Sequence, residues 1–194
     1  MNNIQIRTIA IFAALAALMA VTRFNHFGSA VALPDASLAV FFLGGLYLAS
    51  FGRASVFAFI ALILEAGLID YYATSIQGTS DWCMTTAYWF LIPTYGSLWL
   101  VGRWFALRHS MEGKGLAGLA LAAWAASSFA FMFSNVTFYL FSEHFAEMSA
   151  IEYASRVAQY YVSYVSIALL YIASVIALHM AIDIIGRQSA HAPN

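Results

Sequence analysis

Long apolar segments alternate along this chain with short polar connections. The apolar segments cover residues 5–22, 35–51, 54–76, 83–102, 115–141 and 154–185. A membrane-spanning helix needs about 20 mostly apolar residues, and each segment is close to that length or longer. The connections between them are too short to hold a second domain. The pattern therefore predicts one all-α domain over residues 1–194, an integral membrane bundle of six transmembrane helices.

The composition agrees with a bilayer as the surrounding solvent. Hydrophobic residues make up 63% of the chain and charged residues 9%, whereas a soluble domain carries about 25% charged residues. The formal net charge of -1 lacks the basic excess that a nucleic-acid-binding protein needs. We therefore expect contact with a lipid bilayer and none with nucleic acid. The single cysteine excludes an intramolecular disulfide.

The placement of basic residues predicts the orientation of the bundle. With six spans, both termini lie on the same side of the membrane. That side holds six of the eight basic residues, and cytoplasmic loops are the ones enriched in Lys and Arg. The sequence therefore predicts cytoplasmic N and C termini. The six are Arg7, Arg53, Arg103, Arg108, Lys114 and Arg187, and the other side holds Arg23 and Arg156.

The first apolar segment carries small residues at four-residue spacing, including the pair Ala13 and Ala17. Surfaces of this kind let two helices approach closely inside a membrane. One interpretation is packing within the bundle, and the other is a docking surface for a partner protein. We expect this face to look away from the bundle core.

Reactive and polar side chains are most concentrated where the third segment ends and the fourth begins, at the predicted outer side. Asp70 and Cys83 lie on either side of a short connection, and Tyr88 follows five residues after the cysteine. A thiolate is a soft ligand for transition metals, but one thiol cannot build a zinc or iron–sulfur site. It can supply one axial bond to a metal whose other positions a macrocycle fills. The alternative is that Cys83 is a small buried hydrophobe.

Three further features lie in apolar or interfacial surroundings. The connection Arg23–Ser29 contains His26 between aromatic residues, which indicates either an interfacial anchor or a lid over an outward cavity. Glu65 lies deep in the third segment, where a carboxylate is costly and has a functional or a paired role. Asp70 is expected nearer to the mouth, facing water or a polar ligand. Arg156 opens the sixth segment beside several tyrosines.

Together these features resemble the S-components of energy-coupling-factor (ECF) vitamin importers. More narrowly, the chain resembles the solitary cobalamin-specific S-components, the BtuM family. The residues that carry the narrower match are Asp70, the run Asp81–Trp89 (DWCMTTAYW) and Arg156. The resemblance implies an S-component-like bundle in the bacterial inner membrane, with a substrate cavity at the outer side.

In that family a cysteine at the start of the fourth helix binds the cobalt of vitamin B12, so the resemblance implies that Cys83 is the axial ligand. We expect Asp70, Tyr88, Arg156 and His26 to hold the corrinoid. Because a strong thiolate donor weakens the opposite axial bond, we also expect loss of cyanide from cyanocobalamin as a secondary activity at Cys83. Solitary members are not encoded with a dedicated ATPase module, yet Ala13 and Ala17 match the surface on which other S-components dock one. These two features point in opposite directions, so an ECF energising module is a partner that the sequence neither predicts nor excludes.

Two other functions compete with cobalamin uptake. The first is an S-component for a different vitamin, in which Cys83 has no role. The second is an intramembrane enzyme with Cys83 as nucleophile, which requires a base within hydrogen-bond reach. Asp70 is the nearest candidate for that base in the sequence, and a weak one.

Overall fold

The computed structural model describes residues 3–23, 33–110 and 113–190, and these residues are mainly helical with no strand among them. The bundle contains six α-helices within these ranges. Two short 3₁₀ turns, Ala49–Phe51 and Thr86–Phe90, precede α3 and α4 respectively. The helices are α1 (Asn3–Arg23), α2 (Ser37–Tyr47), α3 (Arg53–Ser75), α4 (Leu91–Arg108), α5 (Lys114–Phe141) and α6 (Ala150–Ala190).

The predicted all-α class is confirmed, and four of the six helices are long and apolar enough to cross a membrane. These four stretches are Gln5–Arg23, Arg53–Ser75, Lys114–Phe141 and Ala150–Gln188. With 11 residues, α2 is only about 16 Å long. It is shorter than a hydrocarbon core of about 30 Å, so a crossing at this place has to include the connections on either side of it. The described helices are thus compatible with a multi-pass membrane protein, with α2 as a short helix at its centre.

The predicted fourth segment, 83–102, is wrong at its beginning. α4 begins at Leu91, after the turn Thr86–Phe90, and it ends at Arg108. Pro93 explains the late beginning, because a helix from residue 83 would hold this proline in its interior. There it would remove a hydrogen bond and clash with the preceding turn. As the third residue of α4, Pro93 replaces an N–H group that has no partner within the helix. Cys83 consequently lies in the connection before α4.

Capping explains two other boundaries. Asp35 accepts a hydrogen bond from the backbone N–H of Ser37 at 2.9 Å, which satisfies one of the free N–H groups at the beginning of α2. The predicted segment 154–185 is too short, because α6 begins at Ala150. Ser149 precedes that helix, and its hydroxyl accepts the N–H of Glu152 at 3.3 Å. The sequence Ser149-Ala150-Ile151-Glu152 has the S-x-x-E spacing of a capping box.

α2 is buried on all sides and packs most closely on α4. Phe41, Phe42 and Leu43 are fully buried, and the Phe41 ring stacks on Tyr95 of α4 at a centroid distance of 4.2 Å. Glycines make this contact close: a Cβ at Gly102 would overlap the carbonyl oxygen of Phe42. Gly45 is equally close to the backbone of Trp99. The backbones of α2 and α4 touch because these positions have no side chain.

Successive helices run in opposite directions, so the bundle has two ends. One end holds the contacts of Arg23, and the other holds most of the basic residues. The end of α1, the beginning of α2 and the end of α3 meet where Arg23 contacts Ser37 and Asp70. The first residue of α1 and the last residue of α6 lie at the opposite end. Six of the basic residues belong to that opposite end, as the sequence predicted: Arg7, Arg53, Arg103, Arg108, Lys114 and Arg187.

The alanine face of α1 looks away from the bundle. Ala13 and Ala17 are exposed, while Leu15 and Met19 on the other side of the helix are buried. The expected direction of this face is confirmed. Packing inside the described bundle is therefore not the role of these two alanines.

The contact between α2 and α4 predicts that Gly102→Ala destabilises the protein, because the new Cβ must push the two backbones apart. Overpacking of this kind typically costs about 1–3 kcal/mol. Gly67→Ala in α3 is the matched control, because open space surrounds that glycine and alanine is the better helix former. Thermal unfolding followed by circular dichroism in detergent should show a lower Tm for Gly102→Ala only. Equal Tm values for both variants would refute the close contact.

Candidate functional site

A buried ion pair lies where four helices meet. The guanidinium of Arg23, the last residue of α1, binds the carboxylate of Asp70 in α3 through two hydrogen bonds. Nε donates to Oδ1 at 2.8 Å, and Nη2 donates to Oδ2 at 2.6 Å. Arg23 is 4% exposed and Asp70 is 5% exposed. Two parallel hydrogen bonds between charged groups make a strong, directional contact, so this pair joins α1 to α3.

The same guanidinium also connects α2 and α4. Nη1 of Arg23 donates to the Ser37 hydroxyl at 2.8 Å and to the Tyr95 hydroxyl at 2.9 Å. The second carboxylate, Asp35, lies 3.7 Å from Nη1 and accepts the Ser37 hydroxyl at 2.6 Å. One cation therefore lies between two carboxylates, and every helix that reaches this point contributes a group.

A cavity of about 840 Å³ opens above this ion pair, within the range of about 300–1,000 Å³ typical of ligand sites. Arg23, Asp35, Asp70 and Tyr95 contribute to its floor, and the loop 80–84, α5 and α6 contribute to its walls. The walls are mainly aromatic, with a few polar groups between the rings. The aromatic residues are Trp82, Tyr88, Phe90, Phe131, Phe138, Phe145, Tyr153, Tyr160 and Tyr164, and the polar residues include Thr74, Ser134, Asn135, Arg156 and Gln159.

Cys83 lies in the wall of this cavity, exposed on the connection between α3 and the turn Thr86–Phe90. Local hydrogen bonds shape that connection: Met84 N–H donates to the Asp81 carbonyl at 2.7 Å, and Tyr88 N–H donates to the Thr85 carbonyl at 2.9 Å. Neighbouring protein raises the pKa of the Cys83 thiol by desolvation. The charge of Asp70 raises that pKa further, and the charge of Arg23 lowers it. The thiol is therefore protonated at neutral pH.

Trp82 lines the cavity and packs against His144. Their rings stack at a centroid distance of 3.7 Å and an angle of 11°, and His144 Nε2 lies 2.9 Å from the Trp82 carbonyl oxygen. The ring of Phe145 meets Trp82 edge-on. The connection between α5 and α6 thus packs against the segment that carries Cys83.

Four of the five predicted binding residues line this one cavity: Asp70, Cys83, Tyr88 and Arg156. The fifth, His26, lies outside the described residues. Asp70 belongs to the floor, is buried and pairs with Arg23, so it does not lie at the mouth facing water. The alternative expectation, that it faces a polar ligand, stays a prediction. Arg156 is exposed and pairs with Glu152 one turn away at 2.8 Å. Glu65 is not among the residues that line the cavity.

Arg23 is the central residue that the sequence analysis missed. The expectation that Arg23 belongs to the connection after the first segment, in an anchor or a lid, is wrong, because Arg23 ends α1 and is buried. One signal could have identified it: a carboxylate placed inside a membrane needs a partner, and Arg23 is one of only two basic residues predicted at that end. Its partner is 47 positions away along the chain, so no local pattern reveals the contact.

Among residues 3–23, 33–110 and 113–190, no group of three or more His, Cys, Asp or Glu side chains is arranged to hold a metal ion. Comparison of the chain with protein-family models gives no match, and comparison with curated proteins gives none either.

The charges around Cys83 predict how its reactivity depends on pH. Only the thiolate is nucleophilic, so below the thiol pKa its alkylation rate should rise about tenfold per pH unit. Asp70→Asn removes the charge that raises this pKa and leaves Arg23, which lowers it. The rate profile should therefore move to lower pH. Asp81→Asn is the control, because Asp81 is two residues from Cys83 but is not among the charges that shift its pKa. A profile unchanged by Asp70→Asn would contradict this arrangement.

Proposed function

We propose that this protein captures cobalamin or a related corrinoid at the outer face of the bacterial inner membrane and takes part in its uptake. The observation that supports the proposal is that the only cysteine of the chain lies in the wall of the cavity of about 840 Å³, beside Asp70, Tyr88 and Arg156. These are residues on which the resemblance to solitary cobalamin-specific S-components depends. They come from three different parts of the chain.

The chemistry of the cavity suits this cargo. A corrin supplies four ligands to its cobalt, so one axial thiolate is the only protein ligand required. A bound metal deprotonates a coordinating thiol outright, which overcomes the raised pKa of Cys83. The aromatic walls offer surfaces for the apolar faces of the ring, and Asn135 and Gln159 offer hydrogen bonds to its rim of amides. In this proposal the thiolate replaces the benzimidazole base of the vitamin.

A secondary reaction belongs to the same proposal. A strong thiolate donor weakens the bond on the opposite side of the cobalt, which favours loss of cyanide from cyanocobalamin. Cyanide leaves with the bonding electron pair and takes up a proton, and the cobalt keeps its oxidation state. The protein would then change its cargo chemically while acting mainly as a transporter.

Cys83→Ser tests the proposed axial bond. The purified variant, incubated with cyanocobalamin, should lack the shifted cobalt absorption spectrum and should release no cyanide, while its circular dichroism stays that of a folded bundle. Met84→Leu is the matched control, because Met84 also lines the cavity and its thioether is another soft ligand. This variant should keep the shifted spectrum. An unchanged spectrum and unchanged cyanide release in Cys83→Ser would refute the role of the thiolate.

The outward direction of the cavity rests on a proposed topology of six spans with cytoplasmic termini. It is supported by six basic residues at the end opposite the cavity and by the bias of Lys and Arg to cytoplasmic loops. In a Cys83→Ser background, a membrane-impermeant thiol reagent applied to intact cells should label Asp81→Cys and spare Lys114→Cys. Labelling of position 114 alone would reverse the topology.

The exposed alanines of α1 are the proposed surface for an ECF energising module. Ala13→Leu and Ala17→Leu should then reduce cobalamin uptake by cells and leave binding to the purified protein unchanged, because neither side chain is buried in the bundle. Ala123→Leu in α5, whose alanine is fully buried, is the control for a packing defect and should lower Tm. Uptake unaffected by both α1 substitutions would remove the support for such a partner.

A further inference from the structure

Few hydrogen bonds join the segment that carries Cys83 to distant parts of the chain. Its hydrogen bonds are mostly local, such as Ala87 N–H to the Thr85 hydroxyl at 3.2 Å. Among the described residues, two of the hydrogen bonds of residues 80–88 reach a residue more than ten positions away. One joins the Trp82 carbonyl to His144, and in the other the Tyr88 hydroxyl donates to Asp70 Oδ2 at 2.7 Å. Tyr88 is therefore the attachment to the floor of the cavity.

The hydrogen bond from Tyr88 to Asp70 depends on the orientation of the Asp70 carboxylate. Oδ2 accepts both the Tyr88 hydroxyl and Nη2 of Arg23, while Oδ1 accepts Nε of Arg23. The two-point contact with a planar guanidinium determines the rotation of the carboxylate. Without Arg23, Asp70 would lose the two hydrogen bonds that determine the rotation of its carboxylate, and of these contacts only the Tyr88 hydroxyl would remain.

We propose that Arg23 is a positioning residue for the Cys83 site: it orients Asp70, Asp70 fixes Tyr88, and Tyr88 holds the segment that presents the thiol to the cavity. The relevance of this positioning role to cobalamin rests on the proposed function. It also makes α1 part of the site, since Arg23 is the last residue of that helix. A displacement of α1 that separates Arg23 from Asp70 releases the Cys83 segment, so the position of α1 regulates the cobalt ligand.

The single cysteine allows a direct test that needs no cobalamin. A nitroxide spin label attached to Cys83 in the full-length protein, reconstituted in lipid nanodiscs, reports the mobility of this segment through its electron paramagnetic resonance line shape. Arg23→Gln and Tyr88→Phe should each increase the label's mobility severalfold. The double variant should resemble either single variant, because residues that act through one chain of contacts are not additive.

Tyr95→Phe is the matched control. It also removes a buried hydroxyl that contacts Arg23, but Tyr95 has no place in the chain of contacts that leads to Cys83. Its label should stay as immobile as in the unsubstituted protein. Arg23→Lys, which keeps the charge and loses the two-point contact, should give intermediate mobility. If Arg23→Gln does not fold, Arg23→Lys and Tyr88→Phe decide the question.

Two outcomes would overturn the inference: a label that stays immobile in Tyr88→Phe, or a label that is immobile in Arg23→Lys and Arg23→Gln although their Tm falls. The second would show that Arg23 only stabilises the bundle. With unlabelled protein, Arg23→Gln and Tyr88→Phe should bind cyanocobalamin about tenfold more weakly, as expected for one lost hydrogen bond to a charged group. A failure of the cobalamin proposal would appear instead as an unchanged spectrum in Cys83→Ser, whatever the spin label shows.

Discussion

The buried pair of Arg23 and Asp70 is the interaction on which this end of the bundle depends. A charge removed from water is stable only when a partner and further hydrogen bonds replace its hydration. Here the guanidinium has carboxylate, hydroxyl and phenol oxygens around it from α2, α3 and α4. Removing one member of such a pair typically costs about 3–5 kcal/mol, because the other charge stays buried. The geometry of the cavity floor is therefore determined within narrow limits.

The second constraint is the close packing of α2 on α4. Without a hydrophobic drive between helices inside a bilayer, contact depends on how closely the backbones approach. Gly45 and Gly102 allow that approach, and the short α2 is enclosed as a result. The stacked rings of Phe41 and Tyr95 lie at the cavity end of this contact, and the Tyr95 hydroxyl reaches Arg23. Tyr95 therefore belongs both to the packing contact between α2 and α4 and to the hydrogen-bonded cluster around Arg23.

The chemistry of the proposed site depends on a contrast between its floor and its walls. The floor is charged, hydrogen-bonded and almost fully buried, whereas the walls are mainly aromatic and open to the cavity. Cys83 lies on the boundary, on a connection rather than on a helix. A thiol on a connection can shift its position without deforming a helix.

The helical class, the apolar surface and the clustering of Asp70, Cys83 and Tyr88 can be predicted from the sequence, because they follow from composition and from short distances along the chain. Local chemistry also determines where α4 and α6 begin, through Pro93 and Ser149. The pairing of Arg23 with Asp70, the enclosure of α2, and the approach of Arg156 and the α5 side chains to one cavity are visible only in the folded protein. Those contacts join residues far apart in the sequence, and periodicity along a single helix carries no information about which distant side chain will satisfy a buried charge.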